Sequence, residues 1–124
     1  MVCYHREARI RSGLRALHES RVLDRAAMLK ARRILRCRRI AHAPCGDPFE
    51  RSFRRAGYLP WGRSWVIGEN LAWGWGSPWE AFTALMRSPT HRANILRRSF
   101  REVGVWQGRS PWGPLWVLEY GHRW

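Results

Sequence analysis

Three side chains are the candidates for binding a metal ion or transferring protons, and they are His42, Glu69 and His91. Glu69 stands in a stretch where large apolar residues recur at every second position, so its carboxylate is expected on the apolar face of a strand. A buried carboxylate must be protonated, accept from N–H groups, or meet a cation or a histidine, because an unpaired buried charge is costly. A structural glutamate that locks a loop to the backbone is the alternative at this position.

The two histidines of this set stand in different local contexts. His91 follows Ser88-Pro89-Thr90, a cap-and-proline signal, so it is expected in the first turn of a helix. There the helix dipole disfavours an added proton and keeps the imidazole neutral, the form that binds metal. His42 lies in a loop of small residues and can be directed across the molecule. The alternative for His91 is a hydrogen-bonded structural histidine, and the alternative for His42 is an exposed loop histidine. The remaining histidines have no motif around them and are interpreted as surface residues, namely His5, His18 and His122.

The sequence contains three cysteines, Cys3, Cys37 and Cys45. The last two enclose His42 in a short loop, and a disulfide between them would stabilise the fold by roughly 2 to 3 kcal/mol in the chain-entropy model. Such a bond would suit an oxidising compartment. Two alternatives stay open: a pair of buried thiols in a reducing compartment, and a metal cluster of Cys37, His42 and Cys45, which lacks the paired spacing of zinc modules. Cys3 is left without a partner in each case.

Helix start and stop signals indicate the elements that must position these side chains. The first predicted helix runs over roughly Val2 to Ser12 and is ended by Gly13. The second begins after an N-cap at Ser20. In the second helix apolar residues recur at three- and four-residue steps, so this face is predicted to be core and to carry no chemistry. Its members are Leu23, Ala26, Ala27, Ala31, Ile34 and Leu35.

Three later helices are predicted from cap residues followed by proline. Asp47-Pro48-Phe49-Glu50 and Ser77-Pro78-Trp79-Glu80 each combine a cap, a proline at the first helical position and a glutamate at the third. The first of these helices is expected to end at Gly57 and the second just before Ser88. Ser88 is interpreted as the cap of a last, short helix that runs through Leu96.

Strand-like stretches alternate with these helices, over Trp65 to Trp75, Glu102 to Gln107 and Leu115 to Tyr120. A Gly/Ser/Pro-rich turn from Gly108 to Pro114 joins the last two, so the strands are expected to pair in an antiparallel sheet. No internal repeat, linker or low-complexity tail interrupts the chain, and its 124 residues are enough for one core. The sequence therefore predicts a single domain over residues 1–124 in which helices cover one sheet.

Charge and composition limit the classes of partner. The formal charge of +14 and the pI of about 11.6 favour polyanions. The arginines are scattered through every segment and Lys30 is the only lysine, so a solvated arginine-rich surface is favoured over a nucleic-acid-binding face. The nine tryptophans are attributed to core packing and aromatic turns. No apolar run is long enough to cross a bilayer, and the first residues lack a signal-peptide pattern, so an export signal would have to be lost or lie upstream.

Several motifs occur in one order along the chain. The most specific are Gly68-Glu69-Asn70-Leu71-Ala72 and, in register with it, Ser88-Pro89-Thr90-His91-Arg92-Ala93-Asn94-Ile95-Leu96. The rest of the series is Gly13 to Leu17, His42, Phe53 with Ala56-Gly57-Tyr58, Phe100, and Val103-Gly104-Val105. Together they resemble the bacterial branch of the CAP superfamily, which contains the cysteine-rich secretory proteins, antigen 5 and the plant pathogenesis-related proteins. The likeness covers nearly the whole chain.

This resemblance implies an α+β fold, a three-layer α-β-α sandwich with a central antiparallel sheet. It also implies a cleft in which His42, Glu69 and His91 hold a divalent metal ion, often zinc in relatives. Two neutral imidazoles and one carboxylate suit such an ion and leave coordination positions open. Because the family is mainly secreted, an extracellular or cell-envelope location is implied. The other motif residues are expected to be structural, and they are Asn70, Ser88, Pro89, Arg92 and Asn94.

The favoured function is a monomeric, non-catalytic binding module whose cleft takes a metal ion and a small ligand or lipid. Many eukaryotic relatives have a second cleft glutamate before the second histidine, whereas the corresponding Leu85-Met86-Arg87-Ser88 has no carboxylate. That removes the obvious partner for general acid/base catalysis.

Two other functions are retained as alternatives. One is a metal-dependent, protease-like hydrolase in which Glu69 acts as base toward a water held by His42 and His91. No serine or cysteine is visibly paired with either histidine, which weighs against it. The other is an arginine-rich surface that binds an anionic cell-surface polymer, with tryptophans as anchors.

Overall fold

Five helices and one four-stranded sheet make up the fold in the computed structural model, which describes residues 1–124. The helices are α1 (Val2–Arg11), α2 (Arg21–Cys37), α3 (Arg51–Ala56), α4 (Pro78–Arg87) and α5 (Pro89–Ile95). The strands are β1 (His18–Glu19), β2 (Trp65–Trp73), β3 (Glu102–Gly108) and β4 (Leu115–Arg123). None of the helices combines the length and the apolar character that a membrane span requires.

Local sequence signals account for most helix boundaries. Ser20 caps α2, its Oγ accepting from the backbone N–H of Leu23. At α4 the predicted capping box is confirmed, because Ser77 and Glu80 each accept from the other's backbone N–H. These bonds satisfy donors that a helix N-terminus otherwise leaves unpaired.

The predicted helix start at Asp47 is wrong. Residues 49–50 form a turn, and α3 begins only at Arg51, whose N–H bonds to the carbonyl of Pro48. Asp47 does not cap the helix because its carboxylate is engaged by arginines from two directions. Arg33 of α2 donates to it at 2.6 and 3.0 Å, and Arg51 donates at 3.3 Å.

The sheet has the strand order β1-β3-β4-β2, in which the three long strands pair antiparallel as predicted. The two-residue β1, which the sequence did not predict, adds to β3 in parallel. Its side chains are exposed on both faces, so it carries no alternating apolar signal. β2 ends at Trp73 instead of Trp75, before Gly74 with its positive φ of 83°.

Helices cover both faces of this sheet, as the predicted α-β-α sandwich requires. Alternate residues of β4 divide between the two cores: Leu115 and Val117 pack with α2, whereas Leu118 and Tyr120 pack with α4 and α5. The backbone of α2 lies directly on β3 at Gly104, where an added Cβ would come within 2.1 Å of the Leu23 carbonyl carbon. The odd positions of β2 face α2 in the same way, which fixes the direction of Glu69.

The tryptophans are more exposed than the predicted role in core packing and aromatic turns implies. Six of the nine have exposed side chains, and they are Trp61, Trp65, Trp73, Trp75, Trp79 and Trp124. Trp65 and Trp73 are the two end residues of β2, and Trp79 lies in the first turn of α4.

Candidate functional site

Glu69 lies at the centre of the candidate site, on the face of β2 that packs against α2. Its side chain has no exposed surface. Oε1 accepts from Nδ1 of His42 at 2.6 Å, and Oε2 lies 3.0 Å from the ammonium of Lys30. The carboxylate therefore meets both kinds of partner that burial of a charge requires, a cation and a histidine.

Lys30 is a site residue that the sequence analysis missed. It extends from α2, its side chain is only 4% exposed, and it also donates to the backbone carbonyls of His42 and Phe49. A signal for it was present in the sequence. Lys30 is the only lysine of the chain, and it falls on the apolar face of α2 between Ala27 and Ala31, where a solvated side chain is not expected.

Glu119 is the second residue that was missed. β4 pairs with β2 so that Glu119 stands directly opposite Glu69, and its side chain is fully buried. Burial and then the neighbouring Glu69 carboxylate raise the pKa of Glu119 well above its ordinary value. Two carboxylates side by side with one lysine cannot both ionise cheaply, so burial beside Glu69 favours the protonated form of Glu119.

A disulfide fixes the loop that presents His42. Cys37 at the end of α2 is bonded to Cys45 in the single 3-10 turn Pro44–Gly46, with their Cα atoms 5.7 Å apart. The disulfide prediction is confirmed, and the two alternatives of free thiols and a Cys–His metal cluster are wrong. Cys3 is exposed and unpaired. His42 remains 55% exposed at its side chain, so one edge of the ring faces solvent.

His91 occupies the first turn of α5, as predicted, and is half-buried. Its Nδ1 is 2.7 Å from the Oγ of Ser88. This bond corrects two predictions: Ser88 makes no cap bond to the backbone of α5, and a serine is in fact paired with one of the histidines. Burial, followed by the charge of nearby His42, lowers the pKa of His91, so the ring is neutral at physiological pH.

Two asparagines join the strand that carries Glu69 to the helix that carries His91. Asn70 Nδ2 donates to the carbonyl of His91 at 3.0 Å, and Asn94 Nδ2 donates to the carbonyl of Glu69 at 3.0 Å. The two amides also bond to each other at 2.9 Å. Asn70 is fully buried, so these bonds fix the distance between the two functional side chains. Pro89 opens α5, and Arg92 is exposed beside it.

The bonding of each ring nitrogen determines how this set of residues fits a metal ion. Both oxygens of Glu69 are directed to His42 and Lys30, and no group of three His, Cys, Asp or Glu side chains has the arrangement of a metal site. A three-ligand site that includes Glu69 stays a prediction and requires Lys30 to move. The ring nitrogens without a protein partner are Nε2 of His42 and Nε2 of His91. We refer to His42, Glu69, Lys30 and His91 as the histidine site.

Residues 2–120 match the model of the cysteine-rich secretory protein family, CAP. The chain belongs to the CAP family. A comparison with curated proteins gave no significant match. The similarity of this CAP domain to solved structures extends along almost its whole length.

The first of these structures is an outer surface protein of Borrelia burgdorferi, 18% identical with a TM-score of 0.85, covering 99% of this chain and 90% of that one. An extracellular protein of Bacillus anthracis that contains an SCP domain is 17% identical, with a TM-score of 0.78 over 96% of this chain. A cysteine-rich secretory protein of Staphylococcus aureus is 16% identical, with a TM-score of 0.70 over 96%. This chain corresponds to 38% and 36% of the latter two proteins. At these identities the likeness confirms the predicted fold.

Proposed function

We propose that this CAP domain is a non-catalytic binding module outside the cytoplasm, whose histidine site takes a divalent cation through Nε2 of His42 and Nε2 of His91. The location is supported by the Cys37–Cys45 disulfide, which persists in oxidising compartments, and by the extracellular and surface relatives. One observation carries the metal proposal: each ring has its Nδ1 bonded to an oxygen, and its Nε2 is free.

Glu69 acts in this proposal as the group that orients His42. A carboxylate can only accept, so Nδ1 of His42 carries a hydrogen, and Nε2 is the nitrogen whose lone pair a cation can take. Carboxylate–histidine pairs of this kind commonly hold metal-ligating imidazoles in place and raise their basicity. Two imidazole nitrogens with water in the remaining positions suit zinc, which accepts nitrogen ligands and an open coordination sphere. A bound zinc ion would supply Lewis acidity.

The geometry favours binding over hydrolysis. Glu69 would have to reach a water molecule to act as a base, but its side chain is fully buried and both of its oxygens face protein groups. The Ser88–His91 pair also lacks the third member of a catalytic triad, because no carboxylate bonds to His91 and orients its ring.

The experiment is a calorimetric titration of the metal-free protein with zinc chloride at neutral pH. The wild type is expected to bind one equivalent, and His42→Ala and His91→Ala are each expected to lose the heat of binding. His18→Ala is the matched control, because His18 is exposed on β1 and makes no side-chain hydrogen bond. Saturable binding that survives both cleft substitutions, or no binding by the folded wild type, would refute the metal proposal.

A second binding element is proposed for an apolar groove between α1 and α4, with a volume of about 440 Å³. Tyr4 packs in this groove against Trp79 and Phe82, with ring centroids 5.2 and 5.6 Å away. Three arginines and one glutamate also line the groove, and they are Arg11, Arg87, Arg92 and Glu7. An apolar channel with a cationic rim is complementary to a fatty acid, whose chain would lie on the rings and whose carboxylate would meet a guanidinium.

Oleate binding, followed by tryptophan fluorescence below the micelle concentration, tests this groove. The double variant Arg87→Gln/Arg92→Gln is expected to bind about tenfold more weakly, because charge-assisted bonds to the carboxylate are lost. Arg98→Gln/Arg109→Gln has the same net charge and alters two exposed arginines elsewhere. Equal weakening in both double variants would show that general surface charge, and not this groove, attracts the fatty acid.

A further inference from the structure

A cavity of about 260 Å³ lies between α2 and α3, next to the histidine site, with which it shares Lys30. Five arginines line it: Arg32, Arg33 and Arg36 from α2, and Arg51 and Arg55 from α3. This grouping could not be predicted from the sequence, in which the arginines are scattered, because only the fold brings the two helices together. Only Asp47 among the lining residues is acidic.

The arginines of this cavity differ in whether an acidic side chain pairs with them. Asp47 pairs with Arg33 at 2.6 Å and with Arg51 at 3.3 Å, so two guanidinium groups are held in place by one carboxylate. The other three have no acidic partner, and they are Arg32, Arg36 and Arg55. The cavity thus combines fixed guanidinium groups with an excess of uncompensated positive charge. Guanidinium groups recognise planar or tetrahedral oxyanions through paired N–H bonds.

A buried hydroxyl in the wall of the same cavity supplies an independent indication of a ligand. Ser52 of α3 is only 4% exposed, and its Oγ has no hydrogen-bond partner in the protein. An unpaired buried hydroxyl costs free energy unless something in the cavity bonds to it. A ligand oxygen that accepts from Ser52 Oγ would satisfy it.

We propose that the groove between α2 and α3 is a binding site for a phosphate group. The tetrahedral oxyanion would receive bonds from the guanidinium groups of Arg36 and Arg55 and from the hydroxyl of Ser52. The cavity is several times larger than the roughly 30 Å³ that one water molecule occupies, so it has room for a phosphate and part of the group that carries it. This proposal does not depend on metal binding at the histidine site.

Titration of the full chain with inorganic phosphate tests the site, using calorimetry at constant ionic strength with chloride as the balancing anion. Wild-type protein is expected to bind saturably. Arg36→Gln/Arg55→Gln is expected to weaken binding at least about tenfold, whereas the charge-matched Arg98→Gln/Arg109→Gln is expected to stay within about twofold of wild type. Absence of saturable binding by wild type, or equal weakening in both double variants, would overturn the proposal.

Ser52→Ala separates a ligand role of the hydroxyl from a structural one. Because Ser52 Oγ bonds to nothing in the protein, its removal is expected to leave the thermal midpoint unchanged or raised while phosphate affinity falls severalfold. A lowered midpoint with unchanged phosphate affinity would contradict the role assigned to Ser52.

Vesicles of phosphatidylcholine with and without phosphatidic acid identify the source of the phosphate. Binding to phosphatidic acid that free phosphate displaces, and that Arg36→Gln/Arg55→Gln abolishes, supports the site with a lipid headgroup as ligand. Phosphate binding without vesicle binding supports the site with a free phosphorylated ligand. Vesicle binding that both double variants weaken alike shows diffuse attraction and counts against the site.

Discussion

At the scale of single residues, the site depends on how Glu69 is neutralised. Its carboxylate has one histidine and one lysine as partners inside the protein, and neither can be replaced by solvent because the side chain is fully buried. Removing one partner of a buried ion pair leaves an uncompensated charge, which is usually costlier than the pair itself is stabilising.

Lys30→Met is therefore expected to lower the free energy of unfolding by about 3 kcal/mol, measured by urea denaturation. Arg25→Met on the exposed face of the same helix is the control and should change it by less than about 0.5 kcal/mol. The double variant Lys30→Met/Glu69→Gln should recover much of the loss, since the orphaned charge is then gone. A double variant less stable than Lys30→Met alone would show that Lys30 does not serve Glu69.

Glu119 leads to a prediction about pH. Its folded pKa is raised, so its contribution to stability is fully present below the unfolded value near 4.5 and is lost as pH rises through the folded value. Glu119→Gln is expected to gain at least about 1 kcal/mol over wild type at pH 8 and less at pH 4.5, from denaturation at both values. The same difference at both pH values would mean that Glu119 does not titrate in the folded protein.

The sequence allowed only part of this residue arrangement to be predicted. His42 and Glu69 follow from motif and pattern, and their 2.6 Å contact meets the stated need of a buried carboxylate for a partner. Glu119 could not be placed opposite Glu69, because strand register is set by the whole sheet and not by the residues around either glutamate. Lys30 was considered only as part of the net charge, and its position on the apolar face of α2 was not recognised as a sign of burial.

At the scale of elements, α1 is attached to the sheet through a buried histidine that the sequence analysis placed on the surface. His5 Nε2 is 2.8 Å from the hydroxyl of Tyr120 on β4, and Nδ1 is 3.0 Å from the carbonyl of Met1. Burial lowers the pKa of His5 to about 4. No motif surrounds His5, and α1 has no amphipathic pattern in which its buried side could be recognised.

His5 should make the fold sensitive to acid. Since its folded pKa is lowered, the stability it contributes is present above the unfolded value of 6.5 and is lost as pH falls through 6.5 to about 4, a loss of roughly 3 kcal/mol. His5→Gln, which does not titrate, is expected to flatten the curve of unfolding free energy against pH in this range. His18→Gln should retain the wild-type curve, and a wild-type curve for His5→Gln would contradict the assignment.

Capping signals predicted helix starts well where the cap side chain has no stronger partner. Ser20 and Ser77 cap their helices as expected. The side chain of Asp47 instead bonds to Arg33 of α2, and that of Ser88 bonds to the ring of His91. The competing partner of Asp47 comes from another helix and is invisible in the local sequence. That of Ser88 lies three residues away, a spacing at which two side chains of one helical turn can meet, and this spacing was the signal that could have revealed it.

At the scale of the whole molecule, the fold places two kinds of site side by side, with Lys30 of α2 belonging to both. The histidine site lies at β2, an edge strand of the sheet, between the disulfide-closed loop and α5. The arginine cavity lies between α2 and α3. The α-β-α architecture could be predicted from the order of motifs, whereas the arginine cavity could not, because its lining comes from two helices whose packing the sequence does not specify.

Nitrogen NMR of the imidazole rings, recorded on ¹⁵N-labelled protein before and after addition of one equivalent of zinc, tests the central claim most directly. Zinc is expected to shift Nε2 of both His42 and His91 while Nδ1 of His42 keeps its proton and its bond to Glu69. Shifts at Nδ1 of His42, with release of Glu69 from the ring, or unchanged signals from both rings, would contradict the account in which Glu69 orients His42 and two Nε2 atoms bind the cation.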